Sequence, residues 1–186
     1  MKVILVTGNI AKLINTRNKL KPFNIEVEQI KMDTIEIQAD TIEEIAAYSA
    51  KYAADKLKCG VIKIDSGLFV EALKGFPGPY IHYVEDTINN EYFLKLLKDE
   101  KNRKAEFREA VAYCEPDKEP VVFTSVTKGT IAEEESGTYG WSWDFLFIPE
   151  GQEVTLGHFD DYDRFNLWDD KAYIEMGEYL KKHFDK

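Results

Sequence analysis

Apolar runs and helical repeats alternate along the chain. Strand-like spacing of apolar and β-branched residues predicts strands at Val3–Val6, Ile25–Lys31, Val61–Asp65, Ala105–Tyr113, Val121–Ile131 and Phe145–Ile148. Helical spacing predicts helices at Ile10–Leu20, Thr41–Leu57, Asn90–Leu97 and Asp169–Phe184. The strand–helix–strand order at the start of the chain is typical of an α/β fold.

The helix predicted at Thr41–Leu57 has the clearest pattern. Thr41 and Glu44 have the spacing of a capping box at its start. The residues that fall on one face of this helix are Ile42, Ile45, Ala46, Ser49, Ala53 and Leu57. Together these two signals predict both where the helix begins and which of its faces is buried.

The middle of the chain predicts a hairpin. Two long strands, Ala105–Tyr113 and Val121–Ile131, flank Glu-Pro-Asp-Lys at Glu115–Lys118, a sequence typical of a type I turn. We therefore expect an α/β protein with a mixed, elongated sheet that contains a long antiparallel hairpin. Residues 1–186 are expected to form a single domain with two lobes, and the charged stretch Lys98–Lys104 is the candidate boundary between the lobes.

Composition and charge narrow the classes of function. No apolar run approaches the roughly 20 residues of a membrane helix, and the N-terminal run is too short for a signal peptide, so we expect a cytoplasmic protein. The net charge of -10 argues against DNA, RNA and anionic membranes as partners. It leaves room for a phosphorylated small molecule bound beside a divalent metal. Cys59 and Cys114 have no zinc or disulfide spacing and are expected to be free thiols.

The sequence Thr-Gly-Asn-Ile-Ala-Lys follows the first predicted strand. At a helix N-terminus, the backbone at Thr7 and Asn9 offers N–H groups to an anion, and Lys12 could reach the same anion from one turn later. Glycine and asparagine are also the usual residues of a plain turn, and neither a Walker loop nor a dinucleotide fingerprint is present. Taken alone, this stretch leaves an anion site and a simple bend both open.

Two carboxylates are candidates for a cation site. Asp65 ends a predicted strand, where a carboxylate can bind Mg²⁺, act as a base on water, or merely cap a turn. Glu36 precedes the helix at Thr41–Leu57 and would complete a Mg²⁺ site, since this ion typically uses one or two carboxylates plus substrate phosphates. Alone, Glu36 would be a solvated loop charge. Lys51 on that helix is a candidate phosphate ligand, although a lone lysine is more often solvated.

Aromatic residues provide candidates for binding a base. Tyr80 ends the rigid loop Gly-Phe-Pro-Gly-Pro-Tyr and could pack on a ligand or on the core. In an extended segment Trp141 and Trp143 would point to opposite sides, so one could stack on a nucleobase while Asp144 accepts a hydrogen bond from it. A core strand with a capping aspartate fits the same residues, and the sequence leaves both open.

The motifs TGNxxK, ExQ before a capped helix, DSGLFVEAL with GFPGPY, and YGWxWDxxFxP occur in this order and resemble the inosine triphosphate pyrophosphatase family. The resemblance covers nearly the whole chain. It implies a two-lobed α/β protein with a central nucleotide cleft, usually a homodimer. It also implies Mg²⁺-dependent cleavage of the purine nucleoside triphosphates (d)ITP and XTP between the α and β phosphates, which releases the monophosphate and pyrophosphate.

The same resemblance implies functions for single residues. Those that would bind the triphosphate or neutralise its charge are Thr7, Asn9, Lys12 and Lys51. Those that would frame the base and sugar are Trp141, Trp143 and Asp144. Glu36 and Asp65 would hold the metal, and Asp65 would also position or deprotonate the attacking water.

Several positions depart from the family pattern. Asn15 stands where the family usually has a glutamate three residues after the motif lysine, Ile64 where it has a glutamate before Asp65, and His82 where a basic residue commonly follows the Pro-Gly-x-Tyr motif. Near the C-terminus, the family reads the purine carbonyl edge with a lysine followed by Ser-His-Arg. The corresponding residues here are Asp163, Leu167, Trp168 and Asp169, and a shifted alignment would recruit Arg164.

Two hypotheses follow from the retained and the missing residues. The first, which we favour, is a working nucleoside triphosphate pyrophosphatase with an altered base preference, because Lys12, Glu36, Lys51 and Asp65 are all retained. The alternative is a catalytically impaired nucleotide sensor that recognises a (d)NTP such as dITP and regulates an effector protein. Nucleotide-sensing subunits of this family in anti-phage systems provide its precedent.

Overall fold

The computed structural model describes residues 1–184, which contain seven strands and six helices. The strands are β1 (Lys2–Val6), β2 (Glu26–Ile30), β3 (Val61–Val70), β4 (Pro77–Gly78), β5 (Lys104–Cys114), β6 (Val121–Ile131) and β7 (Phe147–Pro149). The helices are α1 (Ile10–Leu20), α2 (Ile42–Leu57), α3 (Ile81–Thr87), α4 (Asn90–Leu96), α5 (Asp161–Asn166) and α6 (Lys171–Phe184). Within residues 1–184, no helix is both long and apolar enough to cross a membrane.

The strands form one mixed sheet in the order β2-β1-β3-β5-β6-β7, and β4 pairs with β3. β1 lies between β2 and β3 and is parallel to both, which is the arrangement that the early strand–helix–strand pattern predicts. The pairs β3–β4 and β6–β7 are antiparallel. The predicted α/β class with a mixed sheet is therefore confirmed.

The turn between β5 and β6 lies where the sequence predicts it but is of another type. The N–H of Lys118 donates to the carbonyl of Glu115 over 3.2 Å, which closes the turn. Asp117 has a φ of 59°, however, which a type II turn requires at this position and a type I turn forbids. The N–H of Asp117 donates to the side chain of Asp55 in α2 over 3.0 Å, a distant contact that the local sequence does not reveal. The prediction of a type I turn is wrong.

The chain divides into two compact units. The first unit contains residues 1–65, 109–125 and the segment from 170 onwards, and the second contains residues 66–108 and 126–169. The chain passes from one unit to the other within β3, β5 and β6, and again just before α6. The stretch Lys98–Lys104 therefore lies wholly in the second unit and is not the boundary.

Each unit has its own apolar core. In the first unit, residues of β1, β2, β3 and β5 pack with α1 and α6, and Leu5, Leu20 and Leu180 are fully buried. The predicted inner face of α2 is buried except for Leu57, which is partly exposed. The Thr41 hydroxyl accepts from the N–H of Glu44 over 3.3 Å at the start of this helix. The buried members of the second core are Leu68, Val70, Val84, Phe93, Leu97, Ala105, Ile131, Trp143, Leu146, Phe147 and Leu156.

Candidate functional site

The turn between β1 and α1 is held by its own side chains. The Asn9 side chain caps α1, because its Oδ1 accepts from the N–H of Lys12 over 3.1 Å. The N–H of Asn9 in turn donates to the Thr7 hydroxyl over 3.0 Å. Gly8 is exposed, and a side-chain carbon placed there would meet no atom within 4 Å. The backbone at the N-terminus of α1 thus borders open space, where helix N–H groups favour an anion.

Lys12 extends from α1 to β3. Its Nζ donates to the carbonyl oxygen of Ile64 over 3.1 Å, next to Asp65 in the chain. Because side chains alternate along a strand, Ile64 enters the first core while Lys63 and Asp65 lie on the other face. The residue that replaces the expected family glutamate is therefore a core residue, and Asp65 is the acid of this face.

Lys63 is a further charged residue at this place that the sequence reasoning missed. Its Nζ donates to the Thr34 hydroxyl over 3.0 Å. Burial lowers the pKa of Lys63, the charges of Glu36 and Asp65 oppose this, and the charge of Lys12 adds to it. Four charges therefore interact here, and we name Lys12, Glu36, Lys63 and Asp65 the β3 charge cluster. The position of Lys63 two residues before Asp65 on a predicted strand is the signal that places the two side chains on one face.

The carboxylates of the β3 charge cluster, Glu36 and Asp65, are the two predicted metal ligands. Both act on Lys63 electrostatically, so the structure brings them into one neighbourhood. Among residues 1–184, no group of three or more His, Cys, Asp or Glu side chains is arranged to hold a metal alone. Two hard oxygen donors fit Mg²⁺ when a bound ligand adds phosphate oxygens, since this ion is seldom held by protein groups alone.

Lys51 lies in another part of the first unit. Its ammonium is paired with the carboxylate of Glu119, and this hydrogen bond raises the pKa of Lys51. The Lys51 side chain lines a surface pocket of about 600 Å³ together with Gln38, Asp40 and Glu44. Its function as a phosphate ligand stays a prediction.

Asn15 faces the first core. It is 7% exposed, and its Nδ2 donates to the hydroxyl of Tyr173 in α6 over 3.5 Å. Its Oδ1 is buried and has no hydrogen-bond partner within the described chain, residues 1–184. The residue that replaces the second expected glutamate is thus part of a buried polar contact between α1 and α6.

In the second unit, Trp141 and Trp143 have different environments. The segment Ser142–Phe145 forms a short 3₁₀ turn, so the extended conformation considered from the sequence is not adopted. Trp143 is 6% exposed and contacts Phe93 edge to face at 4.7 Å in the second core. Trp141 is 50% exposed and is therefore the tryptophan with a face open to a ligand.

Asp144 and Arg164 form a nearly buried pair beside this turn. Asp144 Oδ2 accepts from the Trp141 N–H over 3.1 Å and lies 3.7 Å from Arg164 Nε. Burial raises the pKa of Asp144, and the Trp141 N–H and the Arg164 charge oppose that rise. Gly140, at a φ of 81°, allows this packing, because a side-chain carbon there would lie 2.2 Å from Asp144 Oδ2.

Arg164 is only 3% exposed, and its Nη2 donates to Asp161 over 2.5 Å. Its Nη1 is buried and has no hydrogen-bond partner among residues 1–184. A carboxylate acceptor next to an unsatisfied guanidinium donor matches a ligand edge that carries one N–H and one carbonyl. The shifted alignment is the sequence signal that points to this arginine.

The residues that align with the family's base-binding positions, Leu167, Trp168 and Asp169, make contacts within the second unit. The Trp168 ring stacks on Phe147 at 6.3 Å, and Leu167 packs against the second core. The N–H of Asp169 donates to the Thr127 hydroxyl over 2.8 Å, and its carboxylate accepts from the Val126 N–H over 3.0 Å. These contacts hold the segment after α5 against β6.

The loop before α3 keeps Tyr80 accessible. Tyr80 stands at the N-terminus of α3 and is 42% exposed, so a ligand contact stays a prediction. His82 is an exposed residue of α3, with Glu85 and Asp86 on the following turn. Its ring nitrogens lie 3.6 Å from the Glu85 carboxylate and 3.8 Å from the Asp86 carboxylate.

The chain is similar to known proteins along nearly its whole length. Residues 3–166 match the Ham1 family, and the match ends immediately before Leu167. A dITP/XTP pyrophosphatase of Methanopyrus kandleri is 54% identical over 156 residues, which cover 84% of this chain and 83% of the relative. One of Methanosarcina acetivorans is 46% identical over 163 residues, 88% of each chain. The structure of the Staphylococcus aureus Ham1 protein is similar with a TM-score of 0.83 and 26% identity, over 98% of this chain and 100% of that one.

Proposed function

The chain belongs to the Ham1 family, and from this premise we propose that it hydrolyses non-standard purine nucleoside triphosphates such as dITP and XTP. The products are the nucleoside monophosphate and pyrophosphate. The observation that carries the proposal is the grouping of Lys12, Glu36 and Asp65 beside the N-terminus of α1. The names of the relatives, which are up to 54% identical, support the same substrate class.

In this proposal, the start of α1 and Lys12 bind the triphosphate. The helix N–H groups favour negative charge, and the Lys12 ammonium is held against β3 by the Ile64 carbonyl. Because Lys12 is already oriented, little side-chain entropy is lost when phosphate binds. Thr7 and Asn9 contribute by fixing the turn that presents these donors.

Asp65 is the proposed base of the reaction. It orients a water molecule for attack on the α-phosphorus and accepts its proton, while the new P–O bond forms in line with the bond that breaks. The electron pair of the broken bond leaves on pyrophosphate. Mg²⁺, held by Glu36, Asp65 and phosphate oxygens, would supply charge neutralisation.

In the second unit, we assign recognition of the base to Trp141, Asp144 and Arg164. The exposed Trp141 ring offers a stacking surface. Asp144 accepts from the N1–H of hypoxanthine or xanthine, and Arg164 donates to the 6-carbonyl oxygen. Adenine has neither an N1–H nor a 6-carbonyl oxygen, so Asp144 would gain no donor from it and the buried Nη1 of Arg164 would stay without an acceptor, which is a basis for rejection.

The remaining expectations about partners and location stay predictions: Mg²⁺ as the metal, a homodimer, and a cytoplasmic location. The alternative hypothesis, a catalytically impaired sensor that regulates an effector protein, gains no support from the relatives, which are named as pyrophosphatases.

A pyrophosphate-release assay tests the proposed function. The purified full chain is incubated with Mg²⁺ and, separately, with ITP, dITP, XTP and the four standard dNTPs. We expect turnover of the first three and much slower turnover of dATP, dCTP and dTTP. Binding of dITP without turnover of any nucleotide would overturn the hydrolase and leave the sensor.

A further inference from the structure

We propose that Lys63 is a substrate-binding residue whose ammonium, together with that of Lys12, binds the polyphosphate of the nucleotide directly. This inference rests on the proposed function, because it concerns the phosphate end of the same substrate. It adds a phosphate ligand that none of the sequence motifs contains.

The placement of Lys63 on β3 is the first argument. It is two residues before Asp65, so the two side chains lie on the same face of the strand, opposite the buried Ile64. Lys12 donates to the carbonyl of Ile64, the residue between them. Both ammonium groups therefore lie beside one short piece of strand, next to the proposed catalytic carboxylate.

The balance of charge is the second argument. Lys12 and Lys63 repel each other electrostatically, and Glu36 and Asp65 attract Lys63 from the same neighbourhood. An anion that contacts both ammonium groups lowers the electrostatic energy, because its attraction to each of them offsets the repulsion between them. A triphosphate has the several negative charges and the length to contact two ammonium groups at once.

The present partner of Lys63 is the third argument. Its Nζ donates to Thr34 Oγ1, a neutral hydroxyl in the loop before α2. The hydroxyl carries no charge to balance the ammonium, whereas an ionised phosphate oxygen adds Coulombic attraction to the hydrogen bond. A flexible lysine can turn from the hydroxyl to a phosphate oxygen, or donate to both, since an ammonium has three N–H donors.

Inorganic tripolyphosphate is the sharpest probe of this proposal, because it lacks base and sugar. Its affinity is measured by isothermal titration calorimetry in EDTA, which removes any contribution of a divalent metal. We compare wild type with Lys63→Gln, with Lys63→Arg, and with Lys2→Gln as the matched control. Lys2 is an exposed residue of β1 paired with Glu28, so this variant has the same change of charge at a remote position.

We expect Lys63→Gln to weaken tripolyphosphate binding about tenfold, Lys63→Arg to stay within about threefold of wild type, and Lys2→Gln to bind as wild type does. In the hydrolysis assay, KM for dITP should rise in Lys63→Gln. Thermal unfolding without ligand reports whether the Lys63–Thr34 bond is only structural. If the Gln variant does not fold, Lys63→Met takes its place.

Wild-type affinity in Lys63→Gln, or no tripolyphosphate binding by wild type in EDTA, would overturn the proposal. So would a loss in Lys63→Arg equal to that in Lys63→Gln, because a charge interaction should survive the exchange of one cation for another. These outcomes are distinct from failure of the proposed function. A wild-type protein that binds tripolyphosphate through Lys63 but hydrolyses no nucleotide would refute the hydrolase alone.

Discussion

The hydroxyl of Tyr173 in α6 donates a hydrogen bond to the carboxylate of Glu109 in β5 inside the first unit. Asn15 of α1 donates to the same hydroxyl over 3.5 Å, so one phenol oxygen joins three elements. Burial raises the pKa of Glu109, and the charges of Lys12 and Lys19 and the Tyr173 hydroxyl oppose that rise. The first unit thus contains a carboxyl group whose protonation differs between the folded and unfolded states.

This difference predicts how stability depends on pH. In the unfolded chain Glu109 has the pKa of an ordinary glutamate, 4.5, whereas in the folded protein its pKa is higher. Between these two pKa values the unfolded chain has lost the proton and the folded protein still holds it. The free energy of unfolding therefore falls as pH rises from the lower pKa to the higher one. Glu109→Gln removes this contribution and should gain stability relative to wild type between pH 4 and pH 7. Urea unfolding at pH 4 and at pH 7 measures the difference in unfolding free energy between Glu109→Gln and wild type. Glu178→Gln, on the exposed side of α6, is the control for the loss of one charge. Parallel changes in wild type and Glu109→Gln would contradict it.

Asp65→Asn should lower kcat for dITP by at least about 100-fold, because the variant cannot accept the proton of the attacking water. The control is Asp99→Asn, at an exposed position with a φ of 65° that asparagine also tolerates. Steady-state kinetics at saturating Mg²⁺ compare the two variants. Undiminished turnover in Asp65→Asn would remove this residue as the base.

Arg164→Gln should lower the preference for dITP over dATP, measured as the ratio of their kcat/KM values, about tenfold or more. The change removes the donor proposed for the 6-carbonyl and leaves Asp144 without its cationic neighbour. Because the pair is nearly buried, we also expect a loss of stability of about 3–5 kcal/mol by urea unfolding. Arg164→Lys keeps the charge and should recover part of the stability. An unchanged dITP preference in a folded Arg164→Gln protein would show that this arginine does not read the base.

Gly140→Ala should destabilise the protein more than Gly151→Ala. Both glycines have a left-handed φ, 81° and 84°, so both variants bear similar backbone strain of about 1 kcal/mol. Only at Gly140 would the new carbon also meet Asp144 Oδ2, at 2.2 Å. The difference between their unfolding free energies measures the contacts with Asp144 and with Arg164 Nη1, which would lie 2.5 Å from the new carbon. Equal losses of stability in the two variants would mean that the Asp144 carboxylate and the Arg164 guanidinium both move away freely.

Elements with a strong local pattern could be predicted from the sequence. The helix Ile10–Leu20 and the strand Val121–Ile131 have the predicted bounds. Both depend on patterns of apolar residues that are local in the sequence. The sequence predicts that the strand beginning at Val61 ends at Asp65, and this end is wrong. β3 instead continues, because Gly67 lets the carbonyl of Gly78 in β4 approach to where a side chain would be, and that pairing is not local.

The candidate site also contains residues that the sequence predicts and residues that only the structure reveals. Sequence motifs predict Lys12, Glu36 and Asp65 as site residues, and all three interact electrostatically with Lys63. Lys63 was missed because a lysine on a strand is usually solvent-facing, and its neighbours come from a loop and a helix distant in sequence. The buried pairing of Arg164 with Asp144 could not be read from the chain either, since their contact depends on how the turn at Gly140 and α5 fold together.

The passage of the chain between units within its strands has a consequence for synthesis on the ribosome. The core of the first unit contains residues of both β1 and α6, so β1 is translated well before the helix that packs with it. All residues of the second unit are translated before α6 begins. A chain that stops before Lys171 would leave Leu5, Leu13 and Leu20 without the helix that covers them. Such a nascent or truncated chain exposes apolar surface until α6 emerges, which makes it a substrate for chaperones.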